Sequence, residues 1–382
     1  MFSFKYRFRQ SALQVLAALL GSLLLGCGSA WAGDQPSFFD QWQAQWLDEH
    51  KELPAADAEP SFFDKWRLSG YVNLEGAGPK NAPASLTLDD LALFVSARIN
   101  RWVNPFMEAE IYAVPLWIEG KGAQFNSAQM TIERLYNDFE ITDSTTLRTG
   151  KFLAPINHWN LIHASPLVWT VNRPITSTSS VANYITGLQA RHEFDMMSGH
   201  AVEVYVQPYT EFLPVSVGPN QPSYQTTVGG RWTLHEDLEY YAGFSLQYAR
   251  LQNSNNVDSS HASVSFDANW KHQFFELETE LLYTHVYNPT PLAHSADWGG
   301  YLQLAVPLFY GFNAIGRYEH FQFAYKSEPV DIGVIGLVWR PESHYSLKLE
   351  WQQTSDGANQ VPGTVYDQQL HTGLFGAIAV LF

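Results

Sequence analysis

From Trp66 onward the chain alternates apolar and polar residues with a period of two, a rhythm that strands produce and helices cannot. In WRLSGYVNLE, residues Trp66, Leu68, Gly70, Val72 and Leu74 share one face, and Arg67, Ser69, Tyr71, Asn73 and Glu75 the other. Leu91, Leu93, Val95, Ala97 and Ile99 oppose Ser96, Arg98 and Asn100, and Val264, Phe266, Ala268 and Trp270 oppose Ser263, Ser265, Asp267 and Asn269. About sixteen such segments follow one another, each roughly ten residues long, the length that crosses a bilayer core when tilted.

The connectors alternate in length. Short turns such as Thr142-Asp143-Ser144, Lys271-His272-Gln273 and Arg340-Pro341-Glu342-Ser343 take every second position, with longer polar stretches such as GPKNAPAS, LQNSNNVDSS and TSDGANQVPGT between them. The pattern predicts an all-β fold: a closed antiparallel transmembrane β-barrel of about sixteen strands over residues 65–382, short turns on the periplasmic side. A soluble β-sandwich also alternates, but charged residues make up only 16% of this chain while aromatic ones make up 15%, too greasy a surface for water. Trp232, Trp270 and Phe382 sit on the apolar parity where the chain returns to the short turns, as a barrel girdle does; Trp102 sits there on the polar parity.

The chain ends on HTGLFGAIAVLF, in which Leu374, Gly376, Ile378, Val380 and Phe382 form the outward face of a closing strand that pairs with the first. Ile378, Val380 and the terminal Phe382 resemble the signal by which bacterial outer-membrane barrels are recognised by their assembly machinery.

Lys5, Arg7 and Arg9 precede an apolar run from Ala12 to Leu25, which reads as a secretory signal peptide over residues 1–32 with cleavage after Ala30-Trp31-Ala32. Leu24-Leu25-Gly26-Cys27 offers the alternative of lipoprotein processing at Cys27, the single cysteine, so no disulfide forms. Residues 33–64 form a periplasmic segment in which PSFFDQW (Pro36 to Trp42) recurs as PSFFDKW (Pro60 to Trp66); Ser37 caps an expected amphipathic helix carrying Phe39, Trp42 and Trp46.

The longest connector spans 153–183, and with short turns in the periplasm it is the third external loop. Gly150-Lys151-Phe152-Leu153-Ala154-Pro155, His158-Trp159-Asn160, Pro166-Leu167, Trp169-Thr170 and Arg173-Pro174 resemble a segment of bacterial outer-membrane porins related to the phosphate-selective porins O and P. The resemblance implies a sixteen-stranded channel, often a trimer, whose third loop folds inward to narrow the lumen. The family's usual glycine after the proline is replaced here by Ile156-Asn157, and no inward ladder of lysines or arginines is visible. Lumen water is expected to satisfy the loop backbone. Lys151, His158, Trp159, Asn160, His163 and Arg173 are the constriction candidates; the bland reading is that they pin the loop to the wall.

Parity sorts the wall charges. Arg98, Arg148, Arg191, Arg231 and Arg317, with Glu108, Glu110 and Asp138, are pore-lining candidates; Lys348, Glu203, Glu319, Glu350 and the run Glu276, Glu278, Glu280, spaced about 6.7 Å apart, share the inward parity. Acids outnumber bases, which predicts a mild preference for cations or neutral solutes. The 38 acidic against 22 basic residues exclude a nucleic-acid partner.

The function expected is passive diffusion of small hydrophilic solutes or ions, without catalysis, cofactor or metal. A scaffold barrel sheathing an electron-transfer or secreted partner is the alternative. A phospholipase-type barrel enzyme is a second, raised by His261 and Ser263, which lie two apart on the polar face rather than facing lipid. The thirteen histidines show no paired spacing for a metal.

Overall fold

The computed structural model describes residues 65–125, 128–162, 164–177, 180–194, 199–212, 223–236, 240–252, 258–288, 292–342, 344–355 and 371–382. The expected signal peptide, Cys27, the expected helix of the leader at 33–64, and His163 lie outside them.

Sixteen antiparallel strands close into one ring: β1 (Trp66–Pro79), β2 (Ser85–Ala97), β3 (Asn104–Ile118), β4 (Gln129–Thr142), β5 (Thr145–Leu153), β6 (Tyr184–Glu193), β7 (His200–Gln207), β8 (Ser223–Glu236), β9 (Tyr240–Gln252), β10 (Asp258–His272), β11 (Phe275–Tyr287), β12 (Ala296–Pro307), β13 (Phe312–Gln322), β14 (Val330–Trp339), β15 (Tyr345–Thr354) and β16 (Gly373–Leu381). Each strand pairs with its sequence neighbours, and β1 pairs with β16 in the register Val72↔Val380, Leu74↔Ile378. No edge is left open, so every strand can satisfy its backbone without water.

Alternation becomes an inside and an outside. Leu246, Leu281, Ile335, Leu349, Leu374 and Ile378 are exposed on the outer wall, while Ser245, Gln247, Ser265, Asp267, Glu278 and Glu280 are buried on the inner one. Trp232, Tyr240, Trp270 and Phe382 mark the short-turn rim, and Tyr248, Tyr283, Trp298 and Trp351 mark the other. Tyr240 and Tyr248 lie eight residues apart on β9, about 27 Å along the strand and about 20 Å across a membrane at the usual tilt. Trp102 is exposed in the β2–β3 turn, beneath the Arg101 guanidinium at 5.5 Å.

One strand breaks the rule of a wet interior. On β14, Ile332, Val334 and Val338 share the inward parity and are buried. Its sequence, VDIGVIGLVW, is apolar on both faces, as strands covered on both sides are. Something apolar therefore sits inside the barrel.

Candidate functional site in the barrel lumen

The occupant is the connector between β5 and β6. Its two ends meet: the Ala154 N–H donates to the Asn183 carbonyl at 2.8 Å. Asn160 Nδ2 ties the same neck, donating to Ala154 O at 2.8 Å and Asn183 O at 3.0 Å. Asn157 adopts a left-handed φ of 62° before a short helix α1 (His158–Ile162), and its Nδ2 donates to Thr176 O at 2.9 Å. From this neck the loop touches β1, β2 and β9 through β15, among them β13 and β14, which stand opposite β5 and β6, so its path crosses the lumen.

Wall carboxylates accept the loop's backbone N–H groups. Glu280 Oε1 accepts from Trp159 N at 2.7 Å, and its other oxygen from Thr176 Oγ1 at 2.8 Å. Glu350 accepts from Val171 N at 2.8 Å, Asn172 N at 3.0 Å and Asn172 Nδ2 at 3.1 Å. Glu319 accepts from Ile175 N at 2.9 Å, and Gln247 Oε1 from Ala182 N at 2.7 Å. Wall cations take the carbonyls: Lys348 Nζ donates to Ser165 O at 2.6 Å and Thr170 O at 3.1 Å, and Arg317 donates to Thr170 Oγ1. Two strands round the ring from Lys348, on β1, Asn73 Nδ2 donates to Ser165 Oγ at 3.0 Å.

The structure thus corrects the expectation that lumen water satisfies this backbone. Protein groups do so, as buried backbone requires. It also changes the charge count, because Glu280, Glu319 and Glu350 hold the loop and so are not lumenal charges free to act on a passing ion.

Packing completes the attachment. Phe152, Ala154, Ile156, Ile175, Val181 and Ala182 form one apolar cluster with Leu282, Phe321, Ile332 and Val334 of the wall. Trp159 and Val168 pack with Tyr301, and Trp169 lies against Ala305, Ile315 and Val338. With the loop seated, every strand has at least one inward side chain that water does not reach; Arg231 and Arg317, among the longest, are each 2% exposed. An arginine reaching into open water could not be so covered.

Among the constriction candidates, Lys151 stands on β5 rather than in the connector, ion-paired with Glu211 at 2.9 Å and 5.1 Å from the Tyr184 ring. His158 is buried with its ring 4.8 Å from Tyr241, and burial pushes its pKa down to about 4. Trp159 and Asn160 are buried. Burial opposes the charge of Arg173, but Asp90, Tyr184 and Glu133 around it hold its pKa above the ordinary value.

Of the wall candidates, Arg231 and Asp267 form a bidentate buried pair, at 2.9 and 2.6 Å. Arg148 binds Asp138 through two bonds of 2.7 and 2.8 Å, Arg191 binds Glu203 at 3.0 Å, Arg98 binds Glu140 at 2.8 Å, and Arg317 lies 2.8 Å from Glu319. Glu108 pairs with Arg134, and Glu110 accepts from Tyr71 Oη at 3.2 Å. Arg98, Arg148 and Arg191 lie toward the short turns and Arg134 near the middle of β4; all keep partial exposure, but each is matched by a carboxylate. At the closing strand Ile378 and Phe382 are exposed and Val380 is half-buried.

Parity gave no access to Arg340, in the β14–β15 turn. Its Nη2 donates to the carbonyls of Pro166, Leu167 and Val168 at 3.3, 3.2 and 2.8 Å, and its guanidinium stacks 4.0 Å from the Trp169 ring. The His261 ring nitrogen meets the Ser180 carbonyl at 3.1 Å while Ser263 Oγ accepts from Thr284 at 2.9 Å, so the two serve different contacts. Among the described residues no group of three His, Cys, Asp or Glu side chains could hold a metal ion.

No protein-family model matches the chain, and no curated protein matches its sequence. Solved structures do. An anion-selective porin from Comamonas acidovorans superposes with a TM-score of 0.56 at 13% identity, covering 83% of this chain and 99% of that one. The fold is that of the outer-membrane porins. The trimer form of OmpT, an outer-membrane protein of Vibrio cholerae, shares the porin fold with a TM-score of 0.55 at 9% identity, covering 83% and 99% of the two chains. The outer-membrane channel DcaP of Acinetobacter baumannii follows at 0.52 and 12%, covering 83% and 97%. These likenesses are to the porin fold at large; the narrower resemblance to the O and P type rests on the Gly150–Pro174 motif.

Proposed function

We propose that the chain is an outer-membrane channel of a Gram-negative bacterium through which small hydrophilic solutes or ions diffuse, its lumen narrowed by the loop at 153–183. The observation that carries this reading is a closed ring, greasy outside and polar inside, with one connector folded across its bore. The part-exposed Arg98, Arg134, Arg148 and Arg191 are each matched by an acid, which supports weak selectivity favouring cations or neutral solutes. The Comamonas porin, by its name, prefers anions. The Vibrio protein's trimer form supports a trimer here as well.

The test is a planar bilayer with a salt gradient. Discrete current steps with a reversal potential near zero or slightly on the cation side are expected. A strongly anionic reversal potential would defeat the selectivity. A correctly folded barrel that stays silent even after residues 155–182 are replaced by a short glycine link would defeat the channel itself. The 2.8 Å contact between Ala154 and Asn183 makes that replacement geometrically mild.

A further inference from the structure

Resting on the channel reading, we infer that the inner wall of β1 and β2 carries a subsite for the guanidinium or primary-ammonium head of a small organic cation, formed by Glu75, Asp89 and Asn73.

Two bulges make this wall acidic. Asn73 and Leu74 of β1 stand opposite Asp90 and Leu88 of β2, so Asp89 is an extra residue in the ladder. Glu108 and Ala109 of β3 stand opposite Arg134 and Ile132 of β4, and Glu133 is extra in the same way. A bulge re-aims side chains that strict alternation would place elsewhere. Asp89 meets the inward Asn73, and Glu133 lies beside Glu110 and accepts from Tyr184 Oη. Each bulge thus adds a carboxylate to a face that already holds Glu75, Asp90 and Glu110.

Acceptors outnumber donors at one end of this group. Asn73 is fully buried and points its amide into it: Nδ2 lies 3.0 Å from Glu75 Oε1, from Asp89 Oδ2 and from Ser165 Oγ of the loop, three acceptors for two hydrogens. The Oδ1 of the same amide is buried and has no donor among the described residues. An orphaned acceptor beside mutually repelling carboxylates is a setting that a cation with N–H groups completes.

The chain's own cations serve other contacts. Arg173 of the loop stands beside Asp90 and Glu133, and Lys348, which faces Glu75 and Asp89, donates to the Ser165 and Thr170 carbonyls. Asp90, Glu110 and Glu133 are buried, whereas Glu75 and Asp89 are half-buried and meet lumen water. Among the described residues no three acids converge as a metal ion requires. The fitting ligand therefore carries its donors on spread N–H groups, as guanidinium does in a planar fork that matches carboxylates.

The test measures methylguanidinium affinity twice, from the dose-dependent reduction of sodium current in planar bilayers and from equilibrium dialysis of the labelled cation against the full-length protein in detergent. Methylguanidinium is expected to bind at least tenfold more tightly than tetramethylammonium, which carries the charge without an N–H. The double variant Glu75→Gln with Asp89→Asn should weaken methylguanidinium about tenfold or more, the factor carried by one hydrogen bond to a charged group. Glu276→Gln, an acid on β11, should leave that affinity unchanged. Heat-modifiable migration on electrophoresis reports folding, and Asp89→Asn alone decides the matter if the double variant does not fold. Equal affinity for the two cations would overturn recognition through N–H donors. A folded variant that binds methylguanidinium as tightly as the native protein would overturn the site. A barrel silent to sodium would instead strike the channel reading, and dialysis would still decide the subsite.

Discussion

The ring of Phe382 lies over Gly70: their backbones exchange hydrogen bonds of 2.8 and 2.9 Å, and a Cβ on Gly70 would come 2.7 Å from Phe382 Cζ and 2.4 Å from the Ala92 carbonyl oxygen. The first strand thus leaves space for the last residue. Gly70→Val should hinder closure of β1 on β16, because the collision with Ala92 O is with backbone and no rotamer relieves it. The cost is roughly 1–3 kcal/mol. Heat-modifiable electrophoresis should show a smaller folded fraction for Gly70→Val, whereas Gly76→Ala, with open space around its Cβ position, should match the native protein.

The Arg231–Asp267 pair on the inner wall, supported by Ser245 at 2.6 Å and by Tyr241, is fully buried. Asp267→Leu strands a buried guanidinium and should cost about 3–5 kcal/mol, while Arg231→Met with Asp267→Leu should cost less than the single change. Urea unfolding in detergent micelles measures both. A double variant as damaged as the single one would contradict this account.

Glu350 accepts three bonds from Val171 and Asn172. Glu350→Ala should loosen that stretch by roughly 1.5–3 kcal/mol without opening the barrel ladder. The expected readout is faster thiol labelling of Val171→Cys beside an unchanged circular-dichroism strand signal. Glu350→Gln, which keeps an acceptor oxygen, should be milder.

His158 supplies a pH dependence. Its pKa falls from an unfolded value near 6.5 to about 4 on burial. The unfolded chain therefore binds the proton first, and this contribution to stability is complete above about pH 6.5 and is lost as pH falls toward 4. The difference in unfolding free energy between pH 7 and pH 4 attributable to this ring is on the order of 2–3 kcal/mol. It is read as the excess acid destabilisation of the native protein over His158→Gln, since carboxylates titrate in the same range in both. Equal acid profiles would remove His158 from the explanation.

The ring of strands, its closure through the terminal Phe382 and the alternation of short and long connectors were legible in the sequence because parity and spacing are local properties. The seat of the loop was not. Parity states which way Glu280 or Glu350 points but not whether water or a backbone N–H awaits it, and the acid surplus counted as lumen charge turned out partly to be fastening. A signal was nonetheless present: VDIGVIGLVW lacks the polar alternate positions of its neighbours, and an apolar inner face needs a cover. Arg340 lies in a turn, where no periodicity assigns a direction, so only its three carbonyl partners reveal its role.

The contact between Ala154 and Asn183 means that some thirty residues of chain depart from and return to nearly the same point on the wall. The strand ladder runs past that point almost as though the detour did not exist. Insertions, deletions or wholesale exchange of the detour therefore leave the shell's own hydrogen bonding intact. What passes through the shell can diverge quickly while the shell that must fold and insert stays the same.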